Sequence, residues 1–233
     1  MWTDAHSCEG LKLDSGLGNY PAREPQPINV SGSWSPWRRV DELVSATSSP
    51  AVGDPGRLRE AVEGSLRRLR LERIDLNQLA RIDPTVPATD QFGALAELRQ
   101  QGKIRHVGLS EVGVDQVQAA RKIVPVASVQ NRYSLADRAW EPVVDHCQHE
   151  GLAFLPWFPL GAGSLVEAGG ALVEAARRHH ATAAQVALAW LLRRSPVMLP
   201  IPGTSSVAHL EENCAAAQLR LAPSDLKALD GLQ

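Results

Sequence analysis

Three consecutive hydroxyl residues, Thr204, Ser205 and Ser206, stand directly before a segment whose apolar spacing is helical, residues 207–217. The first turn of a helix carries backbone N–H groups without intrahelical acceptors and the positive end of the dipole, so it favours an anion, and hydroxyls add donors. One interpretation of this stretch is therefore a phosphate site. The other is that Ser205 or Ser206 is the N-cap of the helix, which holds with or without an anion.

Metal chemistry is suggested only by the sequence "HCQH", His146 to His149. On a helix, two histidines three residues apart without a further ligand are more typical of a solvated face than of a metal site, so no metal is expected. Three cysteines, Cys8, Cys147 and Cys214, are scattered and odd in number. They indicate free thiols in a reducing compartment rather than a disulfide framework.

The bulk composition argues against two classes of partner. The chain has 233 residues, 44% hydrophobic and 21% charged, which suits one large globular domain. A net charge of −2, a pI near 6.4 and the absence of a long basic run indicate that nucleic acid is not bound. No stretch has the apolar length of a membrane span or signal peptide, so we expect a cytoplasmic protein without membrane association.

The chain changes character near Val40. Residues 1–40 are rich in Pro, Gly and Ser without sustained periodicity, and they predict an irregular N-terminal segment. Residues 41–233 alternate short apolar runs with helix-length segments, which is typical of parallel strands buried on both faces. The predicted strands are 42–47, 74–80, 105–110, 127–132, 153–158 and 197–203.

The intervening segments predict amphipathic helices. Two of them have apolar residues repeating every three or four positions: Leu58, Val62, Leu66 and Leu69 in the first, and Val207, Leu210, Cys214 and Ala217 in the second. Thr182 is the expected N-cap of a helix that is apolar nearly all round, and Gly102 and Gly151 are expected helix ends.

About six strand–helix units predict an α/β fold, a (β/α)8 TIM-barrel-like domain that is incomplete. No G-x-G-x-x-G follows a strand, which disfavours the common dinucleotide-binding sheet. A closed barrel needs eight strands, and the missing two would have to come from the irregular first 40 residues.

Several segments over about residues 57–220, taken in order, resemble the aldo-keto reductases. They are "SLRRLRLERIDLNQL", "GALAELRQQGKIRHVGLSEVGVDQV", "VASVQNRYS", "FLPWFPLGAG", "TAAQVALAWLL" and "LPIPGTSSVAHLEEN". The resemblance implies a (β/α)8 barrel that binds NADP(H), with NAD(H) as the alternative, and that interconverts a small carbonyl compound and its alcohol.

The resemblance also implies the cofactor residues. Ser110 and Gln130 match the positions that hold the nicotinamide carboxamide, and Glu111 replaces the family asparagine between them. A carboxylate accepts from the amide nitrogen but cannot donate to its oxygen, so half of that recognition is lost at this position. The remaining implied contacts are Trp157 on the nicotinamide ring, Leu160 and Gly161 beside the pyrophosphate, Gly203, Thr204, Ser205 and His209 near the ribose and its 2′-phosphate, and Glu212 and Asn213 at the adenine.

The catalytic side chains of the family are not found. The family uses a tyrosine, a lysine, an aspartate and a carbonyl-polarising histidine; the histidine position holds Ala80 and the lysine position Ser48. A loose match of "TDAHSCEG" sets Asp4 near the aspartate and Cys8 near the tyrosine, but the match is too short and too gapped to assign them, and coincidence explains it better. Because a positioned general acid contributes about two to four powers of ten in rate, the sequence predicts impaired reduction.

Neither tyrosine is a substitute acid: Tyr133 falls at a non-catalytic aromatic position and Tyr20 has no matching context. Asn77, Ser48 and Glu111 are candidates for a remade polar rim. Three interpretations stay open: an impaired oxidoreductase, a non-catalytic barrel that binds NADP(H) or a partner protein, and a truncated gene product. The last predicts unpaired barrel edges and association into a homo-oligomer.

Overall fold

A computed structural model describes residues 11–13, 44–49, 53–161 and 170–232. The chain forms two compact units, which divide between Gln130 and Asn131. The expected boundary near residue 40 stays a prediction, because most of residues 1–40 lies outside the described residues.

The first unit is built on parallel strands that pair in sequence order. Their bounds are β1 Leu11–Leu13, β2 Val44–Ser49, β3 Ile74–Leu79, β4 Ile104–Ser110 and β5 Val126–Gln130. A register shift between Val107 and Gly108 interrupts the pairing of β4 with β5. The four strands predicted in this unit are confirmed within one or two residues at their amino ends, and β1 lies inside the segment expected to be irregular.

Three helices alternate with these strands: α1 Pro55–Leu69, α2 Ala88–Gln100 and α3 Val114–Arg121. Asp54 caps α1 by accepting from the Arg57 amide at 2.9 Å, and the apolar face predicted for this helix is buried except at Leu69. Gly102 has φ +75°, the left-handed conformation expected where α2 ends before β4.

The second unit is mostly helical. It contains α4 Glu141–Glu150, the short strand β6 Ala153–Phe154, α5 Gly170–Arg178, α6 Ala183–Arg194, α7 Val207–Ala215, a 3₁₀ turn Ala216–Gln218 and α8 Pro223–Asp230. Two predicted strands are corrected here. The strand expected over 153–158 ends at Phe154, and the segment 197–203 contributes a single parallel bridge, Phe154 to Met198. Both segments contain prolines, which remove ladder donors.

In this unit, the predicted N-cap of α6 is confirmed, whereas the predicted burial of α7 is not. Thr182 caps α6 as predicted, since its hydroxyl accepts from the Gln185 amide and the Gln185 side chain accepts from the Thr182 amide. The apolar face predicted for α7 is wrong: no residue of this helix is fully buried and Val207 is 72% exposed. Its spacing is amphipathic, but the described residues place no core against it.

Gly151, with φ +67°, ends α4 as predicted. His146 and Cys147 lie on that helix, and the described residues contain no group of three metal-ligating side chains. In the same ranges no helix combines the length and apolar character that a membrane crossing requires.

Candidate functional site

The carboxyl ends of β4 and β5 bring together three residues predicted to bind a cofactor. Ser110 and Gln130 end their strands as register partners, and the backbone amide of Glu111 donates to the carbonyl of Gln130 at 3.1 Å. Ser110 is buried, whereas Gln130 and Glu111 are half-buried. Because functional groups of parallel α/β folds gather at the carboxyl ends of strands, this edge is the candidate site in the first unit.

Glu111 departs from ordinary backbone geometry. Its φ is +54°, a left-handed conformation that costs roughly 1–2 kcal/mol for a residue with a Cβ and is more common for asparagine. Backbone strain of this kind is concentrated at functional sites. The conformation turns the chain sharply after β4 while the bond to Gln130 keeps the two strand ends together.

Gln78 was not predicted from sequence, but it belongs to this group. Its amide nitrogen lies 3.4 Å from the Gln130 side-chain oxygen, to which it donates, and it is only 4% exposed. Gln78 sits in β3 in register with Gly108 of β4. A glycine inside a predicted strand marks a close approach by another group, and this is the signal in the sequence that could have identified it.

The position implied for a carbonyl-polarising histidine directly follows β3. Ala80 is half-buried there, and its methyl group has no hydrogen to donate. Ser48, at the implied lysine position, pairs with Gln78 in the β2–β3 register, and its side chain is outside the described part of the chain. Neither Asp4, Cys8 nor Tyr20 is among the described residues.

Asn77 is not part of a polar rim, contrary to the expectation from sequence. It is 1% exposed and donates to the Thr47 hydroxyl at 2.9 Å. Since successive side chains of a strand point to opposite faces, Asn77 faces away from the side on which Gln78 lies.

Neither His106 nor Tyr133 substitutes for the missing acid. His106 is on the same face as Gln78 but four residues before the end of β4, about 13 Å at 3.3 Å per residue. Burial and then the nearby Arg105 lower its pKa. In the second unit, Tyr133 is buried and its hydroxyl donates to Glu141; burial and this bond raise its pKa, whereas a phenol acid at neutral pH needs the opposite shift.

Trp157 in the second unit is half-buried and held by its backbone. Its amide donates to the Asn131 carbonyl at 3.1 Å, and its carbonyl accepts from the Tyr133 amide at 3.3 Å. The next residue, Phe158, has φ +58°, and the Arg132 guanidinium lies 4.9 Å from its ring centre. These bonds fix the backbone that carries the Trp157 ring, whose centre lies 6.0 Å from that of the Phe158 ring.

Leu160 and Gly161, the residues expected beside the pyrophosphate, lie in a tight turn that follows Trp157. The Gly161 amide donates to the Phe158 carbonyl at 3.1 Å, and Gly161 has φ +58°, which a residue with a Cβ rarely adopts. Leu160, like Gly161, is half-buried.

The start of α7 presents the residues predicted for the ribose and 2′-phosphate. Ser206, rather than Ser205, is the N-cap and accepts from the His209 amide at 3.4 Å, while the Thr204 hydroxyl accepts from the Ser206 amide at 3.1 Å. Gly203, Ser205 and His209 are exposed. The cap and the anion interpretations are compatible, because the capping serine is not one of the exposed groups.

The adenine residues of the prediction are on the same helix. Glu212 and Asn213 are half-buried, and the Glu212 carbonyl accepts from the Gln185 side chain of α6 at 3.1 Å. This bond connects α7 to α6. The side chains of Glu212 and Asn213 stay half-buried on a helix that has no fully buried residue.

Comparison with known proteins identifies relatives. A sequence model of the Aldo/keto reductase family matches residues 42–233. An uncharacterized oxidoreductase of Schizosaccharomyces pombe is 49% identical over 178 residues, which are 76% of this chain and 58% of that protein. A pyridoxine 4-dehydrogenase of Escherichia coli is 45% identical over 184 residues, 76% of this chain and 64% of that protein. The chain thus spans about three fifths of the length of these curated relatives.

Solved structures of similar fold are also aldo-keto reductases. A thermostable aldo-keto reductase with the inhibitor epalrestat has a TM-score of 0.75 at 29% identity, covering 84% of this chain and 73% of its own. An aldo-keto reductase from Klebsiella pneumoniae in complex with NADPH has a TM-score of 0.73 at 29% identity, covering 82% and 69%. The predicted fold class is therefore confirmed as TIM-barrel-like, and within the described residues the barrel is incomplete.

Proposed function

The chain belongs to the aldo/keto reductase family, and we propose that it binds NADP(H) and slowly interconverts a small carbonyl compound and its alcohol. The observation that carries this proposal is the contrast at one edge of the first unit. Ser110 and Gln130, the residues expected to hold the nicotinamide carboxamide, stand side by side, whereas Ala80, at the position implied for the carbonyl-polarising histidine, has only a methyl group.

The groups available for the carboxamide fit an amide ligand. Ser110 has a hydroxyl that donates and accepts, Gln130 has an amide with both capacities, and Glu111 contributes an acceptor. When bound, the cofactor supplies the hydride. The chain's own part at this edge is to hold the carboxamide.

The dinucleotide's phosphates are anions, and the start of α7 offers donors for one of them. Exposed Ser205 precedes the first turn and exposed His209 lies in it. The His209 amide donates to Ser206, which leaves the first-turn N–H groups of Val207 and Ala208 for an anion. The 2′-phosphate of NADP(H) is the group we assign to these donors. No lysine occurs in this stretch, so we expect a modest preference for NADP(H) over NAD(H).

The reduction rate is limited by what Ala80 lacks. One hydrogen-bond donor to a developing oxyanion contributes about two to three powers of ten in kcat. A methyl group gives none of this, and among the described residues of the first unit neither Asn77 nor His106 is placed to replace it. Slow turnover follows, with cofactor binding retained.

The pyridoxine 4-dehydrogenase relative suggests the first substrate to test, the pair pyridoxal and pyridoxine. The experiment is a titration with NADPH followed by tryptophan emission, with the Trp157→Phe variant to assign the signal. Pyridoxal is then added and NADPH consumption is measured. Binding with slow consumption supports the proposal; rapid consumption contradicts the role given to Ala80, and no binding contradicts the proposal as a whole.

Binding of NADPH without any turnover would favour the alternative, a non-catalytic NADP(H)-binding protein. The observation that favours this alternative is that Ala80 has no side chain able to polarise a carbonyl. Association into a homo-oligomer through unpaired strand edges stays a separate prediction. Native mass measured by light scattering tests it.

A further inference from the structure

A chain of hydrogen bonds crosses the sheet on the face that carries the candidate site. Gln78 of β3 donates to the side-chain oxygen of Gln130 at 3.4 Å, and Ser128 donates to the side-chain oxygen of Gln78 at 3.3 Å. Ser128 and Gln130 both belong to β5. The Gln78 side chain therefore spans an entire intervening strand, β4, to reach them.

Gly108 makes this crossing feasible. A Cβ added at Gly108 would lie 1.5 Å from the Gln78 side-chain oxygen and 2.4 Å from the Ser128 hydroxyl oxygen. Neighbouring strands are about 4.8 Å apart, so the Gln78 amide must pass directly over the backbone of β4, and only a residue without a side chain leaves that path open.

The structure shows which end of each amide faces which neighbour. The Ser128 hydroxyl takes the oxygen of Gln78, so its nitrogen is directed to Gln130. Gln130 must then turn its own oxygen toward Gln78, because two amide nitrogens facing each other cannot form a hydrogen bond. The amide nitrogen of Gln130, a donor, takes no part in this chain of bonds and is the group directed to a ligand.

We propose that Gln78 is a positioning residue that orients Gln130 to donate to the oxygen of the nicotinamide carboxamide; this inference rests on the proposed function. The arrangement compensates for Glu111, whose carboxylate only accepts and therefore suits the amino group of the same carboxamide. The two halves of carboxamide recognition are thereby divided, with the donor at Gln130 and the acceptor at Glu111.

The test compares two reduced cofactors, NADPH and its 3-acetylpyridine analogue, which keeps the carbonyl but replaces the amino group with a methyl group. Dissociation constants are measured by tryptophan emission for wild type, Gln78→Met, Gln130→Met and the double variant. Asn77→Leu is the matched control, because Asn77 is an equally buried amide one residue earlier that bonds to Thr47 on the opposite face.

We expect Gln78→Met and Gln130→Met each to weaken binding by about three- to tenfold, the range of one net hydrogen bond. The double variant should be no weaker than Gln130→Met alone, because Gln78 acts only through Gln130. The factor caused by Gln78→Met should be the same for both cofactors, since the carbonyl is common to them. Asn77→Leu should leave both constants unchanged even if it lowers Tm.

Additive losses of affinity in the double variant would overturn the inference. It would also be overturned if Gln78→Met weakened the binding of NADPH but not of the analogue, because Gln130 would then accept from the amino group. Failure of wild type to bind NADPH would refute the proposed function itself and this inference with it. Ser128→Ala, which removes only a hydroxyl, repeats the test in a chain whose core volume is nearly unchanged; a smaller loss in the same direction is expected, and an unchanged constant would count against the inference.

Discussion

Replacing Gly108 by alanine should destabilise the protein although glycine is usually the weaker residue inside a strand. No positive φ requires glycine at this position, so the backbone itself accepts alanine. The obstacle is the added methyl carbon, which would overlap the Gln78 side-chain oxygen at 1.5 Å. That oxygen is the far end of a flexible side chain, so Gln78 is expected to move away from β4 while the strand stays in place.

The size of the effect follows from the bonds that move. Displacing Gln78 breaks its bonds to Gln130 and Ser128, each worth about 0.5–1.5 kcal/mol, and leaves a buried amide to find new partners at about 1–3 kcal/mol. Alanine returns about 0.4–1 kcal/mol by restricting the unfolded chain. We expect a net loss of about 1–5 kcal/mol in the free energy of unfolding, which corresponds to a fall in Tm of about 2–20 °C at this chain length.

Thermal unfolding followed by circular dichroism measures this fall, and Gly93→Ala is the matched control. Gly93 lies inside α2, and a Cβ there meets no atom within 4 Å. Its replacement should raise the free energy of unfolding by about 0.5–1 kcal/mol through helix propensity. If Gly108→Ala raised Tm as Gly93→Ala is expected to, the path of Gln78 over β4 would be wrong.

Three further predictions concern the site and the second unit. Ala80→His should raise kcat for pyridoxal reduction by about tenfold or more with the NADPH dissociation constant unchanged; equal kcat values would show that another step is limiting. Glu111→Asn should raise the free energy of unfolding by up to about 1 kcal/mol, because asparagine tolerates φ +54° better, and an unchanged or lower Tm would contradict the strain argument. In the second unit, bonds from His179 and Arg178 hold the pKa of buried Asp225 below its ordinary value of 3.8. The ionised Asp225 carboxylate therefore stabilises the fold above pH 3.8, and this stabilisation is lost as pH falls through the lower pKa of the folded state. The difference in Tm between wild type and Asp225→Asn should decrease only below about pH 4. A difference that already decreases near pH 6 would show that another group is responsible.

Local signals in the sequence predicted the elements of the first unit well. The apolar runs that became β3, β4 and β5 are short and lie between helix-length segments, and Gly102 ended α2 where its left-handed conformation was expected. These features depend on residues close in sequence, so a single chain reveals them.

The errors concern features that depend on distant residues. The apolar spacing of α7 predicted a buried face, yet Val207 is 72% exposed, because periodicity describes a helix and not what packs against it. Prolines at 200 and 202 prevented the strand that the apolar run 197–203 suggested. The role of Gln78 could not be read from its own neighbours, since it requires Gly108 and Ser128, thirty and fifty residues away.

Ala80 and Gln78 differ in what the fold requires of each side chain. Ala80 is a half-buried methyl group with no polar partner to satisfy, so a histidine can be absent there without leaving a buried group unpaired. Gln78 is 4% exposed, and its amide would be costly without Ser128, Gln130 and the space above Gly108. The orientation of Gln130 is thus tied to the stability of the sheet, whereas carbonyl polarisation is not. For this reason we expect cofactor recognition to persist in this chain even where reduction is slow.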